Sequence, residues 1–230
     1  MRTPSCSRLL ALASALALAA CGKDEPAPAN QVPASATKVS GDFTAAGKKI
    51  AAFEAYNAGR FADALRLYDE LLAVEPDNLD ARINRAASLG QLGRWPEALT
   101  ATDDCLARNP SDPEIHINRS TILSELGRSE EAIESVDRAL ALAKDSPKAL
   151  LLKATILGKA GNADDSMAIV DALVQRFPNQ PGLLLEKARM LDLVGRGALA
   201  DPIYAQLQAQ FPDDAGLRAA IAARNGGGAK

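Results

Sequence analysis

The chain has 230 residues, of which 47% are hydrophobic, so it can bury a core and is not disordered throughout. Aromatic residues make up only 4%, and the alanine- and leucine-rich remainder favours helices. The formal net charge is −3 at pH 7. This lacks the basic excess with which nucleic-acid-binding proteins displace counterions, so no nucleic-acid partner is expected.

Residues 1–20 have the anatomy of a secretory signal that is removed after export. Arg2 and Arg8 supply the positive region, and residues 9–20 form an uncharged apolar run. That run is too short for the roughly 20 residues that span a bilayer. It ends in LAACG, with Cys21 in fourth place, which resembles the lipobox of bacterial lipoproteins. The alternative is an ordinary secretory signal followed by an incidental cysteine.

The lipobox resemblance implies cleavage before Cys21 and lipid attachment to its thiol, which would be the protein's contact with the membrane. Gly22 stands where an aspartate would resemble an inner-membrane retention signal. The anchor is therefore expected in the outer membrane, facing the periplasm, in preference to the inner membrane. Residues 21–44 contain three prolines and no periodic apolar pattern, which predicts a flexible tether holding the next domain about 25 Å from the lipid.

A single spacing of 34 residues governs the chain after the tether. The same residue types recur at this spacing in four series. The glycines are Gly59, Gly93, Gly127, Gly161 and Gly195; the small residues after them are Ala64, Ala98, Ala132, Ser166 and Ala200; the small residues before them are Ala52, Ala86, Ser120, Ala154 and Ala188; the prolines are Pro76, Pro110, Pro178 and Pro212, with Lys144 in the remaining place. An internal repeat of this length indicates a solenoid of helix–turn–helix units.

These series resemble the tetratricopeptide repeat (TPR). The resemblance implies an all-α fold, a solenoid of about five helix-turn-helix repeats plus a C-terminal capping helix. The units are 45–78, 79–112, 113–146, 147–180 and 181–214, and residues 215–230 form the capping helix and a disordered tail. In each unit the glycine permits the left-handed conformation that ends helix A. The alanine after it allows close approach of helix B, and the proline stops helix B.

The last unit departs from the pattern, as the end of a solenoid should. Pro202 falls inside its nominal helix B. We therefore expect Asp201-Pro202 to be a late N-cap and first turn, which makes this helix shorter. Residues 215–224 are expected to form the capping helix, ended by Asn225-Gly226.

The sequence offers no catalytic constellation and predicts that the protein is not an enzyme. His116 is the only histidine, whereas acid–base and metal chemistry usually recruit several groups. Cys105 occupies a small interhelical place, where cysteine commonly acts as a small hydrophobe. No cofactor and no metal site are expected.

In the TPR family the first helices of the units line a concave face that binds extended or helical peptides. The resemblance implies that the fifth and sixth places of helix A contribute to this groove. The candidate partner-binding residues are Ile83, Asn84, Ile117, Asn118, Leu151 and Leu185. An aliphatic ladder beside amides suits a peptide with apolar anchors and a backbone to be hydrogen-bonded. The alternative is that these side chains pack against neighbouring helices.

Two further features recur on helix A of the units. Asn84 and Asn118 resemble the asparagine of the TPR clamp that holds chaperone C-termini. Only one basic residue of that clamp is matched around each of them, by Lys49 and Lys148 respectively, and the second asparagine is not matched, so the clamp is not expected. A ladder of basic residues occupies the seventh place, which the family usually fills with leucine, and the sequence gives no account of it. This ladder is Arg85, Arg119, Lys153 and Lys187.

The sequence thus predicts a membrane-anchored protein–protein interaction scaffold of the bacterial cell envelope, whose partners are other envelope proteins or peptides. The alternatives are a dedicated assembly factor for one envelope machine, for pilus, secretion or outer-membrane protein assembly, and a regulator of cell-wall enzymes. These alternatives rest on family analogy, which does not fix function.

Overall fold

The computed structural model describes residues 44–178 and 180–227. The predicted signal, lipid attachment at Cys21 and nearly all of the tether lie outside these residues. The described chain forms eleven α-helices. Their bounds are α1 Ala45–Asn57, α2 Phe61–Val74, α3 Leu79–Gln91, α4 Trp95–Arg108, α5 Pro113–Glu125, α6 Ser129–Leu142, α7 Pro147–Lys159, α8 Ala163–Arg176, α9 Pro181–Leu193, α10 Gly197–Gln210 and α11 Ala215–Gly227.

The first helix of each pair starts at a recognisable local signal. In α3 the side-chain oxygen of Asn78 accepts a hydrogen bond from the backbone N–H of Ala81 at 3.0 Å. Such caps satisfy N–H groups that have no partner within the helix. Proline occupies the first position of α5, α7 and α9, where its missing N–H costs nothing.

The turn inside each pair contains one of the five glycines that share the repeat spacing. Gly127 has a φ of 74°, in the left-handed region that glycine enters without a Cβ clash. The Arg128 N–H then donates to the carbonyl of Leu123 at 2.9 Å, which satisfies a carbonyl at the end of α5. The glycine periodicity in the sequence therefore corresponds to a real turn geometry.

The helices divide into two compact units, the first ending at Arg94 and the second beginning at Trp95. In the first unit α2 packs against both α1 and α3. Its core is formed mainly by small residues of α1 and larger residues of α2. The buried members are Ala52, Ala55, Tyr56, Ala64, Tyr68, Leu71, Ala81 and Ala87.

In the second unit each helix packs against the next one along the chain, from α4 to α11. The first helices of successive pairs also contact one another, α5 with α7 and α7 with α9. One buried cluster joins α5, α6 and α7, and another joins α7, α8, α9 and α10. No helix pair buries its apolar side alone, so each depends on its neighbours.

The predicted all-α fold, with five sequential helix pairs followed by a capping helix, is confirmed. Two expectations about the last helices were wrong. Helix α10 begins at Gly197, with Pro202 inside it, instead of beginning late at Asp201. Helix α11 continues to Gly227, beyond Asn225-Gly226. Packing of the buried Ala200, Tyr204 and Leu207 explains why α10 forms around a proline.

None of the helices in the described residues is both long and apolar enough to cross a bilayer.

Candidate partner-binding face

Helices α5, α7 and α9 form one layer of the second unit, because α7 contacts both of the others. Among the described residues, no contacts as extensive join α4, α6, α8 and α10 to one another. The layer whose helices lie closer together is the inner side of a curved helix stack. We call the solvent-facing surface of α5, α7 and α9 the inner face. Its stripe on α7 is formed by Lys148, Leu151, Thr155 and Lys159, which are spaced three or four residues apart.

The structure separates the four fifth-place aliphatic residues into two groups. Ile83 and Ile117 are only 5% and 2% exposed, and Ile117 belongs to the buried cluster of α5, α6 and α7. These two side chains therefore pack against neighbouring helices, which was the alternative to partner binding, and they are not accessible to a partner. Leu151 and Leu185 are half-buried at the edge of the next cluster, so part of each side chain remains accessible.

The two sixth-place asparagines also differ. Asn84, in the first unit, is half-buried. Asn118, on α5, is 8% exposed, and its side-chain oxygen has no hydrogen-bond partner among the described residues. Most buried polar atoms in proteins are paired, and leaving one unpaired costs about 1–3 kcal/mol. The unpaired oxygen of Asn118 therefore requires an explanation.

The charged groups of the inner face are paired across adjacent helices. Lys148 Nζ lies 2.6 Å from a Glu114 carboxylate oxygen, and both side chains are about three-quarters buried. Lys159 lies 2.8 Å from Glu125. The first ion pair joins the first turns of α5 and α7, and the second joins their last residues. The surface between the two helices therefore has an ion pair at each end.

The basic ladder of the seventh place is also a series of ion pairs. Each basic residue reaches an aspartate 16 positions earlier, on the second helix of the preceding pair. The pairs are Arg85–Asp69 at 2.5 Å, Arg119–Asp103 at 2.8 Å, Lys153–Asp137 at 2.7 Å and Lys187–Asp171 at 2.7 Å. Partly exposed pairs of this kind contribute about 0.2–1 kcal/mol each. These ion pairs could have been predicted from the sequence, because the four aspartates recur every 34 residues, as the basic residues do.

His116 and Cys105 occupy structural places. Nε2 of His116 hydrogen-bonds to the carbonyl oxygen of Pro110 at 2.8 Å, as Nε of Arg82 does one repeat earlier to that of Pro76. The fourth-place side chain thus secures the loop before its own helix. Cys105 is fully buried. Within the described residues no three histidine, cysteine or acidic side chains are grouped so that they could hold a metal ion.

Several solved structures share this fold. TTC0263, a thermophilic TPR protein of Thermus thermophilus, is 21% identical, with a TM-score of 0.68 over 78% of this chain and 98% of its own. A tetratricopeptide repeat protein from Parabacteroides merdae is 24% identical, with a TM-score of 0.66 over 72% of this chain and 64% of its own. PilW, described as a widely conserved type IV pilus biogenesis factor, is 22% identical, with a TM-score of 0.65 over 77% of this chain and 83% of its own. At these identities the likeness establishes the fold.

Curated protein sequences give no significant match. The family model for the tetratricopeptide repeat matches residues 55–119, 91–156 and 123–183, which together cover more than half of the chain. Proteins of this family are interaction scaffolds and are generally not catalytic. The repeat spacing, the sequential helix pairs and this match agree, and the chain belongs to the tetratricopeptide repeat family.

Proposed function

We propose that this protein is a membrane-anchored interaction scaffold of the bacterial cell envelope, which binds a segment of a partner protein on the inner face. Leu151 and Leu185 carry the binding part of the proposal, because their half-buried side chains remain partly accessible on the inner face. Asn118 lies on the neighbouring helix α5, and its side-chain oxygen lacks a hydrogen-bond donor within the described part of the chain. That oxygen has almost no accessible surface, so a backbone N–H of a bound segment would reach it only if the Asn118 amide turned outward on binding.

An apolar anchor is available on the neighbouring helix. Asn118 follows Glu114 by one turn on α5, and Leu151 follows Lys148 by about one turn on α7. The ion pair between Glu114 and Lys148 places these turns next to each other. The half-buried Leu151 therefore lies close enough to Asn118 for one bound segment to contact both.

The anchoring part of the proposal rests on the sequence LAACG and its resemblance to the lipobox. Lipid attachment at Cys21 would hold the repeats at the periplasmic surface of the outer membrane, with residues 22–44 as the tether. Several acyl chains on one residue give stable anchoring where a single chain does not. The partners would then be other proteins or peptides of the envelope.

A dedicated assembly factor and a regulator of cell-wall enzymes are narrower forms of this proposal. PilW is a pilus biogenesis factor, but its 22% identity supports the shared fold alone. The captured partner distinguishes these two functions. An assembly factor would have one stoichiometric partner from a single envelope machine, whereas a regulator would capture a cell-wall enzyme.

Site-specific photo-crosslinking in the native cells tests the binding proposal. The crosslinking residue replaces Thr155, a half-buried residue of the inner face, and in a matched strain it replaces the exposed Glu134 on α6. Thr155 is preferable to the buried Ile117, where a crosslinker would disturb the core. We expect Thr155 alone to capture one or a few envelope proteins, which mass spectrometry identifies.

The Asn118→Leu variant tests the role of the unpaired oxygen. Leucine has a similar volume and no acceptor, so the folded state should be retained while capture at Thr155 decreases. Unchanged capture in this variant would assign Asn118 a purely structural role. Capture only at Glu134, or at neither position, would contradict binding on the inner face.

A further inference from the structure

The charges of α5, α7 and α9 indicate what kind of segment the inner face accepts. These helices contain ten acidic or basic residues, and each one forms an ion pair with an opposite charge. The pairs are Glu114–Lys148, Arg119–Asp103, Glu125–Lys159, Lys153–Asp137, Glu186–Arg189, Lys187–Asp171 and Asp192–Arg224. A charged ligand side chain would therefore find no unpaired counter-charge on these helices.

The uncharged polar groups of the inner face are mainly acceptors. The hydroxyls of Thr121 and Thr155 donate to the carbonyls of Ile117 and Leu151 at 3.0 Å and 2.9 Å, so what they offer outward is oxygen lone pairs. The side-chain oxygen of Asn118 is a further acceptor without a donor among the described residues, but it is buried beneath this surface. A ligand that complements this surface must supply N–H groups without a positive charge, and the peptide backbone does so.

We infer that the inner face selects an extended, uncharged segment with aliphatic side chains, held through its backbone N–H groups, in preference to an acidic or basic peptide. This inference rests on the proposed function. Burying a charged side chain here would remove its water without replacing it by a partner, or would break an existing ion pair. An aliphatic side chain meets neither penalty and gains contact with Leu151 or Leu185.

One position allows a substitution that should prevent binding to the inner face without disturbing the fold. Gly182 holds the second place of α9, as Glu114 and Lys148 do on their helices, and it lies one turn before Leu185. A Cβ added at Gly182 meets no atom within 4 Å, and its φ is not in the left-handed region. A large side chain there would project into the ligand's space, while Gly182→Ala provides the matched control.

The test uses the mature chain purified in detergent and matched sets of extended peptides. Three neighbouring helices spaced about 8–10 Å apart span about 20 Å, which about six extended residues cross, so peptides of about eight residues are sufficient. All sets share aliphatic residues at alternate positions. The remaining positions are Ser and Asn in the first set, include two Glu in the second, and include two Lys in the third.

We expect binding from the uncharged set, weakened about tenfold or more by two Glu or two Lys. The affinity should change less than about twofold between about 0.05 M and about 0.5 M salt, because no charge is neutralised on binding. Methylation of the backbone nitrogens should abolish binding, since it removes the donors. Gly182→Phe should prevent binding, and Gly182→Ala should retain it.

The possible failures are distinguishable. If the best peptides are acidic or basic, bind more weakly as salt increases, and are blocked by Gly182→Phe, the inference is wrong and the proposed function stands. If Gly182→Phe leaves binding unchanged, the segment does not cross α9 and the inference is wrong; if crosslinking at Thr155 then also captures nothing, the proposed function is wrong as well. Absence of binding by every set, while crosslinking at Thr155 still captures a partner, likewise overturns this inference alone.

Discussion

At the scale of single residues, the repeat signals have different physical origins. The five turn glycines have φ values between 72° and 86°, a region that other residues enter at a cost. The two serines in the small-residue series are small enough for close helix contact, and each also forms a hydrogen bond through its hydroxyl. Ser120 Oγ donates to the carbonyl of Ala132 at 2.7 Å, and Ser166 Oγ donates to that of Ala154 at 2.8 Å. Serine therefore replaces alanine there without leaving a buried hydroxyl unpaired.

The turn geometry predicts the effect of Gly127→Ala. Nothing lies within 4 Å of the added Cβ, so backbone strain alone should act, lowering the free energy of unfolding by about 1–2 kcal/mol. The control is Gly182→Ala, which has equal space but no left-handed φ. That helical substitution should be neutral or stabilising by up to about 1 kcal/mol. Urea unfolding monitored by circular dichroism measures both, and equal effects would contradict a role for φ.

At the scale of secondary-structure elements, α10 shows tertiary packing overriding a local signal. Proline in a helix removes one hydrogen bond, here to the carbonyl of Ala198, and its ring crowds that carbonyl. Both residues are exposed, so water can solvate the carbonyl. The helix nevertheless extends through this point, because its buried side packs against α9 and belongs to the cluster that also contains residues of α7 and α8.

Pro202→Ala should therefore stabilise the protein by about 1–2 kcal/mol, since alanine restores the hydrogen bond to Ala198. Urea unfolding gives the change in free energy. Pro181→Ala is the control, because Pro181 stands at the start of α9, where its missing N–H costs nothing. A helix that began at Asp201 would place Pro202 in its first turn as well, and the two substitutions would then have similar small effects.

The capping helix α11 is fastened largely by one side chain. Arg224 forms ion pairs with Asp192 at 3.0 Å and Asp201 at 2.7 Å, and donates to the carbonyl of Gly197 at 3.1 Å. Its guanidinium also lies 4.8 Å from the ring centre of Tyr204. Burial and the hydrogen bond to Asp192 raise the pKa of Tyr204 above its ordinary value, so this phenol remains neutral and acts as a donor.

Arg224→Ala should loosen α11, because the helix then retains chiefly the buried Leu217 and the partly buried Ile221. Hydrogen exchange of α11 is expected to become faster, while exchange in α5 and α6 remains unchanged. Arg218→Ala is the control on the same helix, since that side chain donates to the carbonyl of Pro212 at 3.3 Å within the preceding loop. Similar exchange in both variants would show that Arg224 does not fasten the cap.

At the scale of the whole molecule, the proposed function joins a lipid anchor to a binding surface. The two parts are independent, because the anchor depends on the sequence around Cys21 and the binding surface on the packing of α5, α7 and α9. A scaffold of this kind gains effective concentration at the membrane by being tethered there. Loss of the anchor should therefore weaken its action without changing the repeat fold.

Cys21→Ser tests the anchor directly. We expect the unaltered protein in the membrane fraction, labelled by radioactive palmitate, and the variant in the soluble fraction without label. Circular dichroism of the two proteins should agree, because Cys21 lies before the repeats. Membrane association that persists in Cys21→Ser would contradict lipid anchoring at this residue.

The sequence predicted most of the fold because its signals are local. A left-handed glycine, a helix-capping side chain or a proline at a helix start acts within a few residues, and the 34-residue spacing repeats these signals along the chain. The paired helices therefore lie where the periodicity placed them. The register also identified which residues belong to the first helices, and hence the general position of the candidate site.

What the sequence could not determine depends on atoms from other helices. Ile117 and Leu151 occupy the same repeat place, yet Ile117 is buried in the cluster of α5, α6 and α7, whereas Leu151 is half-buried at the edge of the next cluster. The unpaired oxygen of Asn118 is visible only once the nearby donors are located. By itself the sequence determined the repeat and its helices, whereas the tertiary structure decided which repeat positions remain available to a partner.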